Sequence, residues 1–294
     1  DHTQEDEAYN EAEVQRAVQY AKQYPDIIKM IAVGNEAMVH WATSYFVPPS
    51  VILKWVNYLQ ELKRKGDLRS DLWITSSDDF AAWGGASDNY HTEDLNRLIA
   101  AVDFVSMHTY AFHNSHYSPD YWYSRDPSLS KIEQIDASMQ RAGEFAIGQY
   151  NDVKQYILSL GIDKPIHIGE TGWATASNGF YGAEGSQAAD EYKSKKYYDF
   201  LRKWSNENGV SCFYFEAFDE PWKDAKNPMG SENHFGLFTV DGKAKYALWS
   251  SVDKGIFSGL TRNGNTIEKT INGNEDKLLV SVLPPIAPKK DINK

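Results

Sequence analysis

Pro165-Ile166-His167-Ile168-Gly169-Glu170 is a short apolar run that stops on a carboxylate, and the chain repeats that arrangement. Ile27-Ile28-Lys29-Met30-Ile31-Ala32-Val33 leads into Gly34-Asn35-Glu36, and Leu72-Trp73-Ile74-Thr75-Ser76-Ser77 into Asp78-Asp79. Phe104-Val105-Ser106-Met107 leads into His108-Thr109-Tyr110, and Val210 to Phe215 ends at Glu216, with Asp219-Glu220 close behind. The segments between them carry the helical period. Ala8 to Tyr24 sets Val14, Ala17, Val18 and Ala21 on one stripe, and a second helix opens at Pro48-Pro49 and stops at Gly66. Further helices are expected over Glu93–Val102, Ala137–Leu160, Gln187–Asn206 and, shorter, Ala247–Lys254. Short buried strands alternating with helices predict an α/β fold, a parallel sheet with helices outside it. In a parallel barrel the C-terminal strand ends share one face, where active sites sit, and the polar residues concentrate at those ends.

The composition narrows the function. The chain has 294 residues, enough for one large domain or two modest ones, with 41% apolar and 24% charged residues. Its mean hydropathy is −0.56, and no apolar run approaches the length of a membrane span. A net charge of −11 argues against nucleic acid or an anionic membrane as partner. The single Cys212 excludes an internal disulfide framework and a Cys-based zinc site. Nine Trp and 18 Tyr suggest flat-faced ligands, and the acidic balance favours uncharged sugars. The chain opens on Asp1-His2-Thr3 without an initiator Met or a signal peptide, which reads as a processed chain compatible with secretion. No Asn-x-Ser/Thr sequon occurs, which favours a bacterial source. A secreted, periplasmic or cell-surface monomer is expected.

Glu36 and Glu170 each close an apolar strand. A carboxylate there must be solvated by a cleft or paired, because burying it alone costs several kcal/mol. Two carboxylates converging from different strands are what cleavage of a glycosidic bond requires: one protonates the leaving oxygen, the other attacks or stabilises the oxocarbenium-like centre. Structural ion pairs at the strand ends are the competing reading.

The local sequences favour the chemistry. Val33-Gly34-Asn35-Glu36 resembles the acid/base motif of glycoside hydrolase family 17, the β-1,3-glucanases and β-1,3-glucanosyltransferases, at the end of barrel strand four. Ile168-Gly169-Glu170-Thr171-Gly172-Trp173 resembles its nucleophile motif at the end of strand seven. Phe218-Asp219-Glu220-Pro221-Trp222-Lys223, followed by Glu232-Asn233-His234-Phe235-Gly236-Leu237-Phe238, resembles its strand-eight signature. The resemblance covers about residues 8 to 250. It implies a (β/α)8 TIM barrel of which only strands four to eight are recognisable, with three N-terminal strand–helix units missing. Residues 1–255 are expected to form the barrel, and 256–294 an irregular tail packed on it.

The resemblance also implies roles. Glu36 is the general acid and then base, and Glu170 the nucleophile. Asn35 would bind the sugar 2-hydroxyl, Tyr110 would orient Glu170, and Glu220 and Lys223 lie near the cleaved bond. His108, Trp173, Glu216 and Glu232 complete the expected substrate-binding set. His108, His113 and His116 lack the spacing of a structural zinc site, so neither metal nor cofactor is expected. Trp41, Tyr45, Trp83, Trp122 and Trp173 are candidate sugar platforms. The segments Ala111–Ser130 and Ala174–Ser186 are expected as long loops forming opposite parts of an open cleft, the Gly-rich second one more mobile. The activity implied is retaining, endo-acting hydrolysis of a laminarin-type β-1,3-glucan, with the polysaccharide or its oligosaccharides as partner. The alternatives are a β-1,3-glucanosyltransferase, a β-1,6-glucan-active relative, or a glucan-binding or inactive truncated fragment.

Overall fold

The computed structural model describes residues 4–123, 126 and 128–286. Five strands, β1 (Met30–Asn35), β2 (Trp73–Asp79), β3 (Val105–His108), β4 (Ile166–Thr171) and β5 (Cys212–Tyr214), follow one another in the sheet in chain order. Met30 lies opposite Trp73 and Ser77 opposite Ser106 in parallel register, giving the expected α/β fold with a parallel five-stranded sheet. The connecting helices are α1 (Gln4–Gln23), α2 (Pro49–Lys65), α3 (Glu93–Ala101), α4 (Ala111–Tyr117), α5 (Lys131–Ser159), α6 (Glu191–Asn208) and α7 (Trp249–Asp253). No described helix is long and apolar enough to cross a membrane.

Local chemistry explains the boundaries. Pro49 opens α2, whose buried stripe is Ile52, Leu53, Trp55, Val56 and Leu59. Gly66 ends it in the left-handed conformation, φ 81°, with its N–H on the Lys63 carbonyl at 3.1 Å. Thr92 caps α3 by accepting from the Leu95 N–H at 3.2 Å. β1 starts later than the apolar run suggests because Ile27 and Ile28 donate to the Tyr24 carbonyl in a turn. α6 likewise starts at Glu191, since the Asp190 carboxylate accepts from the Lys193 N–H at 2.8 Å.

Two compact units divide the chain: Asp1–Thr109 with Gly148–Gly169, and Tyr110–Ile147 with Glu170–Lys294. The first has a core of Leu59, Leu72, Ile74, Trp83, Leu95, Val105 and Met107. The second is aromatic, built on Phe112, Trp122, Trp173, Tyr197, Phe235 and Trp249. The segment after Gly255 is more regular than expected. Strands β6 (Thr261–Arg262) and β7 (Asn265–Thr266) form a hairpin, and α8 (Glu275–Ser281) follows. Asn263 and Gly264 both take positive φ, 51° and 82°, as a two-residue hairpin turn requires, so an Asn-Gly signal was present in the sequence. Leu278 and Val282 enter the second core, and residues 287–294 lie outside the described residues.

The two long segments also differ from expectation. Ala111–Tyr117 is helix α4, and it joins the Gly-rich segment instead of facing it across a gap. Ser115 Oγ meets Ser186 Oγ at 2.9 Å, Trp122 Nε1 donates to the Ser186 carbonyl at 2.7 Å, and the Phe112 and Tyr181 rings lie 4.4 Å apart. Phe112, Trp122 and Tyr181 are buried at this junction.

Lys193 on α6 is fully buried and ion-paired to its own cap, Asp190. Asp190→Ala therefore removes a helix cap and strands a buried ammonium, for an expected loss of about 3–5 kcal/mol. The double variant Asp190→Ser/Lys193→Met, which keeps a helix cap and removes both charges, is expected to be close to neutral. Urea midpoints of the two variants, compared at constant m-value, check this.

Candidate active site

In the first unit, Glu36 follows a bulge at the end of β1. The register with β2 shifts between Ala32 and Asn35, and Gly34 and Glu36 take φ of 85° and 45°. A Cβ on Gly34 would sit 3.0 Å from Ile52 Cδ1. A glutamate in the left-handed region is uncommon and must be held there. Two contacts hold it: its N–H donates to the Ser77 carbonyl at 2.9 Å, and its Oε1 meets His108 Nδ1 at 2.9 Å. His108 is buried, and its Nε2 meets Ser77 Oγ at 2.7 Å, which meets Ser106 Oγ at 2.8 Å. A hydroxyl either donates or accepts, so this line accommodates His108 whether Nδ1 donates to a Glu36 carboxylate or accepts from a protonated one. The substrate-binding role expected of His108 is corrected accordingly: with no exposed surface it acts on Glu36, not on a sugar. Asn35, exposed at the strand end, opposes Ser77 in the register.

The hydroxyl line needs a glycine on the neighbouring strand. A Cβ on Gly169 would lie 2.0 Å from Ser106 Oγ and 2.6 Å from Ser77 Oγ. The acidic pair ending β2 is also drawn in. Buried Asp78 accepts from the Met38 N–H and from the Asp79 N–H, both at 2.9 Å, and Asp79 accepts from the Ala81 N–H at 2.8 Å. Burial pushes Asp78 up to about 6 and Asp79 up to about 7, and the Glu36 charge adds to both. In the sequence these two acids stand only as the polar end of a strand, with no mark of a role.

In the second unit, the Tyr110 hydroxyl donates to Glu170 Oε1, and its ring stands edge-on to Phe235 at 5.8 Å. The next residue, Thr171, meets buried Tyr197 OH at 2.9 Å, and its carbonyl accepts from the Phe215 N–H at 2.6 Å. Gly172 is required there, since its Cβ would fall 2.2 Å from the Phe215 carbonyl oxygen. Glu216 follows the cis Phe215–Glu216 peptide. Burial pushes Glu216 up to about 8, aided by a hydrogen bond and charge from Glu220 and opposed by Lys223. Lys223 lies 3.9 Å from Glu220 Oε2 and 4.0 Å above the Phe215 ring, so it is ion-paired with Glu220. Glu232 is exposed on the turn Ser231–Asn233.

Beneath this cluster sits a cation the sequence did not single out. Lys245 is buried and its Nζ contacts Asp219 Oδ1 at 2.6 Å, Thr175 Oγ1 at 2.6 Å and the His234 carbonyl at 3.2 Å. The same Asp219 oxygen accepts from the Gly236 N–H at 3.0 Å, tying together the two halves of the strand-eight signature. Flanked by Lys243, Lys245 reads in the sequence as a solvated charge.

Three expected platforms are core residues instead. Trp173 has no exposed surface, donates from Nε1 to the Ala188 carbonyl at 2.9 Å and packs on Phe112, Trp122 and Tyr197, so its substrate-binding role is corrected. Trp83 and Trp122 are equally buried, with their indole N–H groups on backbone carbonyls. Trp41 and Tyr45 are exposed.

The model of the BtgE/BtgC glycoside hydrolase domain matches residues 1–236. The crystal structure of an endo-laminarinase from Formosa Hel1_33_131 is 62% identical, with a TM-score of 0.92 over 96% of this chain and 72% of that one. A glucan 1,3-beta-glucosidase of Schizosaccharomyces pombe is 25% identical over 83% of this chain and 64% of its own. A glycoside hydrolase family 17 β-1,3-glucanosyltransferase from Rhizomucor miehei, at 17% identity and a TM-score of 0.52 over 80% of this chain and 70% of that one, shares the fold alone. The chain spans less than two thirds of the length of the curated relatives it matches.

Two outcomes are expected of the first-unit cluster. Gly169→Ala drives a methyl into the serine pair and lowers the melting temperature, at a cost of about 1–3 kcal/mol, part of which Ser106→Ala restores by removing the nearer hydroxyl. Asp78 and Asp79 lose their protons near pH 4 when unfolded but hold them to about 6 and about 7 when folded. Unfolding between these limits releases protons, so stability falls as pH rises from about 4 to about 7 and levels off above, by roughly 1.4 kcal/mol per pH unit for each group titrating. Denaturant titrations across that range should show a shallower fall for Asp79→Asn, which keeps the acceptor for Ala81.

Proposed function

Because the chain belongs to the BtgE/BtgC glycoside hydrolase domain family, we propose that it is a retaining, endo-acting hydrolase of laminarin-type β-1,3-glucan. The carrying observation is the 62% identity to an endo-laminarinase across 96% of the chain. In this reading β1 to β5 are strands four to eight of a (β/α)8 barrel formed by residues 1–255, with 256–294 an appendage on it. The protein works as a secreted, periplasmic or cell-surface monomer.

Glu170 attacks the anomeric carbon while Glu36 protonates the departing glycosidic oxygen. Glu36, now a carboxylate, then takes a proton from the water that hydrolyses the glycosyl-enzyme. The side chains around each glutamate suit its task. The Tyr110 hydroxyl bonds one oxygen of Glu170 and steadies it without a competing charge. His108 fixes the direction of Glu36 and, through Ser77, accepts either protonation state as the cycle turns. Asn35 binds the 2-hydroxyl beside the acid. Glu216, Glu220 and Lys223 line the second-unit side of the substrate, where a Glu216 that keeps its proton can donate to a sugar oxygen. Glu232 binds at the periphery.

Timed digestion of laminarin tests the reading. Viscosity should drop ahead of reducing-sugar release, as internal cleavage requires. Glu170→Gln should abolish turnover, and Glu36→Gln should lower it by about 10²–10⁴-fold. Azide should restore Glu36→Gln on an activated aryl glucoside by trapping the glycosyl-enzyme as a β-azide. Release of glucose or disaccharide with no early loss of polymer length would contradict endo-action, and lengthening of a defined oligosaccharide would favour transfer over hydrolysis.

A further inference from the structure

Phe180 and Tyr117 are more than half exposed, at 52% and 67%. Single exposed aromatics need no explanation, but these two come from different segments and are locked together. Tyr117 ends α4, and Phe180 sits in the turn Gly179–Tyr181, with ring centroids 6.2 Å apart and planes at 69°, so the rings form a corner. His116 stacks on Phe180 at 4.1 Å and 17°, supporting one face. The backbone beneath is tightly folded: the Phe180 carbonyl accepts from the Ser186 N–H at 2.8 Å, and a Cβ on Gly185 would fall 2.1 Å from that carbonyl oxygen.

The corner is also the outer end of a ring series that begins at Glu170. Tyr110, bonded to Glu170, lies 5.4 Å from the His113 ring, His113 5.5 Å from Tyr181, and Tyr181 6.3 Å from Phe180. Each step is about one pyranose in length, so Phe180 lies within three sugar lengths of Tyr110. His113 Nδ1 meets Tyr181 OH at 3.1 Å, which fixes the series midway. The whole array lies in the second unit.

We propose that Phe180 and Tyr117 form a remote subsite that binds a glucosyl unit of a β-glucan chain two to three residues from the cleaved bond; this rests on the functional reading above. Aromatic faces cover the C–H faces of a pyranose while its hydroxyls stay in water, and the net charge of −11 disfavours an anionic surface as the alternative occupant. Because the corner is already ordered, binding there avoids the entropy of fixing a loop. Long substrates gain from it, and substrates too short to reach it do not.

Steady-state kinetics of Phe180→Ala, Tyr117→Ala and the double variant on a ladder of laminarioligosaccharides and on laminarin test the subsite. The expected result is a KM raised roughly 3- to 10-fold on long substrates with kcat kept, no change on the shortest cleaved oligosaccharide, and recovery in Phe180→Trp. An unchanged melting temperature excludes a folding effect. Equal losses at every chain length, or no change at any, would overturn the subsite. A wild-type protein that cleaves no β-1,3-glucan would instead overturn the functional reading, so the two failures are told apart.

Discussion

A missing methyl group at position 169 makes the first-unit site possible. Gly169 leaves room for the Ser77 and Ser106 hydroxyls to meet between strands, and those hydroxyls set the imidazole of His108. The imidazole in turn holds Glu36, whose backbone sits in a conformation that most residues avoid. Each link is a directional contact, and a Cβ at position 169 would close the space that the serine pair occupies. The geometry of the proposed acid is therefore fixed from inside the sheet.

Both units bury carboxyl groups that would be cheaper in water. Asp78 and Asp79 in the first unit and Glu216 in the second are held toward the neutral form by burial and by like charges. Stability alone gives no reason for such groups, and their concentration at strand ends is what a reaction surface would call for. The opposite arrangement appears where the second unit needs rigidity. Lys245 and Asp219 neutralise each other in the interior and satisfy their remaining hydrogen bonds with Thr175, the His234 carbonyl and the Gly236 N–H. One set of charges is frustrated and the other is settled.

The strands and their acidic ends were legible because period and punctuation are local properties: Pro48-Pro49 and Gly66 bracket α2, and Glu170 closes β4, all within a few residues. Pairing between distant segments was not legible. Ala111–Tyr117 reads as a loop because its aromatics show no helical stripe, yet Phe112 packs on Tyr181 and Ser115 meets Ser186, some 70 residues on. Trp173 has the same neighbours in the sequence whether it faces a sugar or the core, and only the positions of Phe112 and Tyr197 decide. Lys245 is the same kind of case, since its partner Asp219 lies 26 positions away. For the candidate site, the glutamates and Tyr110 could be named from the strand ends, whereas the serine pair that governs His108 could not, because a Ser in a strand carries no mark of its partner.

The division between the compact units falls at 109/110, at 147/148 inside α5, and at 169/170 inside β4. Independent domains are separated at exposed linkers with few elements crossing. Here one helix and one strand belong to both units, and the last cut separates adjacent residues Gly169 and Glu170. Neither unit could be excised without leaving half a helix and a stub of strand, with unpaired backbone groups at both cut ends. A gene-level dissection, a circular permutation or an exchange of halves with a relative would need to respect those two elements. For recombination, the chain is one piece.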